Sequence, residues 1–182
     1  VTTIRPATPA DIPQIHALIR ELAEFEREPD AVVGTVADLH DALFVGSHTP
    51  SGAPIAHALV IDDEQRSGEL AAMALYFLNY STWLGRHGIY LEDLYVRQQA
   101  RGRGYGRALL AGLAQVAVDH GYGRLEWSVL DWNTPAWDFY ASHGATPLTD
   151  WTVHRVTGTE LVALAAQNEV LTADQQTEAG TP

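Results

Sequence analysis

The sequence predicts a mixed α/β (α+β) fold, in which a central sheet, mostly antiparallel with one parallel strand pair, is flanked by helices. Apolar residues recur at helical spacing near the start of the chain, at Ile12, Ile15, Leu18, Ile19 and Leu22. Two segments rich in β-formers and alanine, 55–61 and 70–78, lie either side of the polar turn 62–68 and read as an antiparallel hairpin. Further on, a strand near Tyr90–Val96, a helix from about Arg107 to His120 and an alternating Leu125, Trp127, Val129 follow one another. Strand, helix, strand in that order implies a right-handed crossover, so the two strands should run parallel.

Residues 4–6 read as a first strand. Thr8, Pro9 and Asp11 then suit the cap, first and third positions of the first helix, whose apolar face runs to about Phe25. Its acids, Glu21, Glu24, Glu26 and Glu28, are most simply a solvated face. Thr35 and Asp38 repeat the capping pattern and introduce a short helix through Leu43. Residues 46–54 have the composition of an exposed loop. In the helix after Arg107, Leu109, Leu110, Leu113, Val116 and Ala117 make a buried stripe, and Gly121 stops it. Asn133 or Thr134 caps the next helix, which Gly144 ends. Residues 151–157 suit a last strand and 160–166 a last helix. Beyond Gln167 the composition turns polar and small, so a single domain over 1–166 and a frayed tail over 167–182 are expected.

A chain of 182 residues suits one domain with one core, and 46% hydrophobic residues place it among globular proteins. The absence of cysteine excludes disulfides, thiolate zinc sites and a cysteine nucleophile. The eight histidines are scattered and form no metal-ligand motif, so no metal is expected. With no secretory or membrane-spanning apolar run, a cytoplasmic protein that binds no membrane is the expectation. A net charge of −12 disfavours nucleic acid and would attract cations such as polyamines, though acidity also serves solubility alone.

The one basic patch is Arg101-Gly102-Arg103-Gly104-Tyr105-Gly106-Arg107, between a strand and a helix. Glycines at alternate positions let backbone N–H groups converge on an anion, and the helix N-terminus and three arginines add positive charge. The loop suits a diphosphate, yet it lacks the Gly-Lys-Ser/Thr of a P-loop and the spacing of a dinucleotide fingerprint. By itself it could be a plain strand-to-helix turn.

Arg101-x-x-Gly104-x-Gly106 in this setting resembles the acyl-CoA-binding signature of the GNAT superfamily of N-acetyltransferases. Tyr80-Ser-Thr-Trp83, Tyr90-Leu-Glu-Asp-Leu-Tyr-Val96, Val129-Leu-Asp-Trp-Asn133 and Phe139-Tyr140 followed by Gly144-Ala145 are similar, in order and spacing, to its diamine (spermidine/spermine) and thialysine N-acetyltransferase branch. The resemblance implies acetyl-CoA as co-substrate, a small cationic amine as acceptor and a homodimer. It assigns the cofactor to Leu94, Val96, Arg101, Gly102, Arg103, Gly104, Gly106, Arg107 and Asn133. One departure is that Thr149-Asp150 precede Trp151 where that branch carries Glu-Gly, which leaves contacts from the last strand open.

An alkylammonium with a pKa near 10.4 lies about 3.4 units from neutrality at pH 7, a cost of roughly 4.6 kcal/mol, so transfer to an amine needs a base. Glu92, otherwise an exposed acid at a strand end, matches the base of the resembled branch, directly or through water. Asp93, Trp83 and the acids around Glu28 are the other acceptor-site candidates, although Trp83 could be a packing residue. Adjacent strand residues point to opposite faces, so Glu92 and Asp93 can serve one amine only if the strand bulges. A bulge would also splay the strand from its parallel neighbour and free the backbone of Leu94 and Val96 for an extended ligand. Tyr140 is either a core aromatic beside Phe139 or, as the resemblance implies, the acid that protonates the leaving thiolate. Asn133 can cap its helix, bind the pantetheine amides, or do both. Other amine acceptors, such as an aminoglycoside or a protein N-terminus, and a non-catalytic acyl-CoA-binding module are the alternatives.

Overall fold

The computed structural model describes residues 3–178, with side chains as far as residue 168. The chain divides into two compact units, 1–130 and 131–182. The first carries a five-stranded sheet in the order β1-β2-β3-β4-β5, formed by Ile4–Pro6, Ala56–Asp62, Leu70–Ser81, Arg86–Val96 and Leu125–Glu126. All neighbours are antiparallel except β4 and β5, which are parallel. Its helices are α1 (Ile12–Phe25), α2 (Val36–His40) and α3 (Tyr105–Asp119). The expected hairpin forms, with register running from Ala56↔Phe77 to Asp62↔Leu70.

The sheet is covered on both faces. Ile12, Ile15 and Leu18 of α1 pack with Ala58, Val60, Met73, Leu75 and Tyr95. Leu59, one residue out of phase with Ala58 and Val60, points at α3, where a Cβ on Gly112 would lie 3.4 Å from its Cδ1. Residues 70–76 of β3 are consequently all buried, so the segment reads as a continuous apolar run with no alternation. Helix α1 begins where Asp11 accepts hydrogen bonds from the Thr8 N–H and hydroxyl at 2.7 and 2.8 Å. Arg5 donates to both Asp11 and Asp62, tying β1 to β2 and to this turn, and holds the Asp11 carboxyl down at about 2.

In the second unit α4 spans Thr134–Ala141 and α5 spans Gly158–Glu178. Two expectations are corrected in the segments around them. The last strand expected over 151–157 does not form, and that stretch carries no regular structure. Alternation in Trp151, Val153 and Arg155 gives a strand its pattern but not a partner, and a strand needs a ladder to satisfy its backbone. The helix expected to end at residue 166 continues to Glu178 through a stretch free of glycine and proline, into the part expected to be a tail. Residues 179–182 of that tail lie outside the described residues. Among the described residues no helix is long and apolar enough to cross a membrane.

Candidate active site

The site begins with a phase change in β4. Its N-terminal half faces β5, since the Ile89 N–H donates to Arg124 O at 3.0 Å. Eight residues on, where strict alternation would repeat that direction, the Arg97 N–H donates the opposite way, to Ala71 O of β3 at 3.0 Å. One extra residue absorbs the difference. Asp93 pairs with Leu75 and Leu91 with Tyr76, which leaves Glu92 as the unpaired bulge residue. Past the bulge, the even-numbered Leu94 and Val96 turn their backbone groups to the side that β5 would have covered.

That side is open because the parallel ladder is short. β5 pairs with β4 only at Ile89↔Leu125 and Tyr90↔Glu126 and ends there, shorter than the strand through Val129 that the alternation suggested. The expected bulge and the splay of the parallel pair are therefore both present. Before the split, β5 is anchored across β4: Asn79 Nδ2 of β3 donates to Glu126 Oε2 at 2.9 Å, and Arg124 pairs with the same carboxylate at 2.8 Å. Gly88 leaves room for this crossing, since a Cβ there would meet Asn79 Oδ1 at 2.5 Å and Arg124 Cγ at 2.7 Å.

The bulge also gathers acid. Glu92 is exposed, whereas Asp93 is half-buried and its carboxyl is pushed up to about 6, first by burial and then by the charges of Glu92 and Glu26. Burial raises Glu26 as well. Among the described residues none of the three carboxylates has a hydrogen bond or a cationic partner. Of the acids around Glu28 that the sequence offered, Glu26 is the one whose charge acts on Asp93. Glu28 is exposed and precedes the turn Pro29–Ala31. The missed signal was helical spacing, for Ile15, Ile19, Leu22 and Glu26 share a stripe, and the Glu26 N–H still bonds to Leu22 O at 2.9 Å. Trp83 lies in the β3–β4 turn, 87% exposed. Six residues of extended β4, roughly 20 Å at 3.3 Å per residue, separate the start of the strand beside it from Glu92, so the structure does not bring the two together.

The glycine loop closes the other end of the open edge. Gly102 and Gly104 adopt φ of 78° and 81°, left-handed values that an ordinary side chain strains to reach, and a Cβ at either would meet nothing within 4 Å. The glycines thus serve backbone conformation in an open cradle. Gly104 is the N-cap of α3, and no side chain occupies the cap, so the first N–H groups of the helix, those of Tyr105, Gly106 and Arg107, remain at its positive end. The three arginines divide. Arg107 has no hydrogen bond or ion pair among the described residues. Arg103 donates to Gln65 Oε1 at 2.8 Å and Gln99 O at 3.3 Å. Arg101, although exposed, lies back along β4, donating from Nε to Val96 O at 3.1 Å.

In the second unit, Asn133 caps α4, its Oδ1 accepting from the Ala136 N–H at 3.3 Å. Tyr140, in the last turn of α4, packs edge-on against Phe139 with ring centroids 5.0 Å apart. Among the described residues no group of histidine and acidic side chains is arranged to hold a metal ion.

A strand split beside a glycine-capped helix N-terminus, on a mostly antiparallel sheet, offers an open backbone edge and an anion-binding helix end, which suits an extended ligand carrying phosphate. The family model described as "Acetyltransferase (GNAT) family" matches residues 16–145, and the chain belongs to that family as an N-acetyltransferase. It is 38% identical over 172 residues to the thialysine N-epsilon-acetyltransferase of Bos taurus, covering 90% of this chain and 97% of the relative. It is 34% identical over 201 residues to the L-ornithine N5-acetyltransferase of Arabidopsis thaliana, covering 91% and 88%. An integron cassette protein from the mobile metagenome of V. cholerae shares the fold with a TM-score of 0.70 at 22% identity, over 90% of this chain and 97% of that one.

Proposed function

We propose that this enzyme transfers acetyl from acetyl-CoA to a primary amine of a small cationic acceptor by direct attack in a ternary complex, the acceptor being a lysine-like diamino acid, a diamine or a polyamine. The observation that carries the reading is the group of three carboxylates, Glu26, Glu92 and Asp93, with no cationic partner among the described residues, at the bulge beside the open edge of β4. Three unpaired acids repel one another, and an ammonium group placed among them offsets that repulsion. The names of the two relatives, one acting on thialysine and one on ornithine, fit an acceptor with a cationic amine at the end of a short chain.

The same geometry fits the co-substrate. Main-chain N–H groups of the loop and of the first turn of α3, with the Arg107 guanidinium, suit the diphosphate. Backbone groups of Leu94 and Val96 suit the amides of the pantetheine arm, and Asn133 is proposed to add a side-chain contact. When bound, acetyl-CoA supplies the activated acetyl as a thioester. Glu92, exposed on the bulge, takes the proton that the attacking ammonium must lose, directly or through water. Asp93, with its carboxyl near pH 6, is ionised at neutral pH and holds the acceptor. Tyr140 donates the proton that neutralises the leaving thiolate.

Thiol release from acetyl-CoA across ornithine, lysine analogues, spermidine and aminoglycosides tests the proposal. Turnover is expected with one or more of the first three. Tyr140→Phe should lower kcat by about 10²-fold or more, the range of general acid–base catalysis, with little change in acetyl-CoA affinity. Wild-type turnover in that variant would reject the acid assignment, and silence across the panel would reject the proposed acceptor class.

A further inference from the structure

The first arginine of the loop motif, though exposed, makes contacts within the protein that a phosphate ligand would not need. The Arg101 guanidinium carbon lies 5.1 Å from the ring centroid of Phe25, the last residue of α1, and 5.7 Å from that of Tyr95 on β4. Its Nε meanwhile donates to Val96 O, on the edge of β4 that the split exposes. The two rings come from different elements, so the guanidinium joins the end of α1 to the strand past the bulge. Tyr95 is itself buried and interacts with Glu21 of α1, so the contact belongs to a wider seam between these elements. Glu26 directly follows Phe25, and it is one of the two charges acting on Asp93.

We infer that Arg101 is a positioning residue for the amine acceptor, fixing Glu26 against Asp93 through Phe25, and that the grip on the diphosphate falls to the loop backbone and Arg107. The division follows from where the charges stand. Arg101 reaches the acid group by contact, over the Phe25 ring that immediately precedes Glu26 and the Tyr95 ring two residues past Asp93. Arg107, in the first turn of α3, has no competing partner among the described residues. The inference rests on the acetyltransferase reading of the site and adds a cause for the acceptor geometry. One side chain, through Val96 O and Phe25, then sets both the edge proposed for pantetheine and the acids proposed for the amine.

The test compares Arg101→Gln, Phe25→Leu and Arg107→Gln, each first shown to melt cooperatively. Coenzyme A affinity is measured by calorimetry, and KM for whichever amine the wild type turns over fastest. Arg101→Gln and Phe25→Leu should each raise that KM by about tenfold, equivalent to ~1.4 kcal/mol, and weaken coenzyme A by less than about threefold. Arg107→Gln should show the reverse pattern. A carboxyl NMR titration of Asp93 gives a readout independent of turnover: in Arg101→Gln its midpoint should fall below the wild-type value, because Glu26 is no longer held beside it. Loss of coenzyme A affinity in Arg101→Gln with an unchanged amine KM would overturn the inference, as would an unmoved Asp93 midpoint. If the wild type acetylates no amine, the proposed function fails, and the Asp93 titration still decides whether Arg101 positions the acids.

Discussion

Asp93 is where function opposes stability. Its carboxyl is raised to about 6 in the folded protein against an ordinary value of 3.8. Between about pH 4 and pH 6 the folded chain therefore keeps a proton that the unfolded chain has released, and stability falls as pH rises through that window. Asp93→Asn removes this penalty. It should raise Tm at pH 7, by roughly 2–4 °C for each ~1 kcal/mol relieved in a chain of this size, and give no gain at pH 4. The same variant should weaken the acceptor. A thermal melt at both pH values checks the first statement, and an Asn variant no more stable than wild type at pH 7 would contradict it. At this scale the sequence was informative about residue type and less so about neighbours. Glu92 and Asp93 were legible as an acidic pair, but Glu26 was hidden among four acids in and just past the end of α1, because which acid reaches the sheet depends on where α1 crosses it.

At the scale of elements, the split between β4 and β5 depends on two devices, the bulge at Glu92 and the anchor before it. The bulge was legible only on the condition that both carboxylates serve one amine, since adjacent residues of a regular strand point to opposite faces. The anchor was not, since Asn79, Gly88, Arg124 and Glu126 are distant in sequence and none carries a motif. Gly88→Ala should overpack the crossing at a cost of about 1–3 kcal/mol, the range for inserting a methyl into a filled site. Because the loop is untouched, any loss of coenzyme A affinity would come from a displaced β5. Melting and calorimetry on this variant should show both losses; unchanged stability would mean that the crossing is loose. The strand expected over 151–157 failed for the complementary reason, that alternation specifies a face but supplies no neighbouring strand.

At the scale of the molecule, order and type of the elements through α3 were readable because each is bounded by local chemistry: the Thr8–Asp11 and Thr35–Asp38 caps, the polar turn 62–68 and the glycine loop. That helices flank the sheet was expected too, but which residues of β3 face α1 and which face α3 was not readable, since burial on both faces erases alternation in that strand. The net negative charge with a basic loop in its midst fits a protein that draws a cationic acceptor while offering a glycine loop and Arg107 to an anionic co-substrate. That pairing is the central claim. Its most direct test is to incubate the protein with acetyl-CoA and an equimolar mixture of ornithine, a lysine analogue, spermidine and a neutral monoamine, then identify products by NMR. The account predicts acetyl on a terminal amine of a cationic acceptor, one coenzyme A released for each, and none on the neutral amine. Coenzyme A bound with no acetylated product, or acetylation that favours the neutral amine, would contradict it.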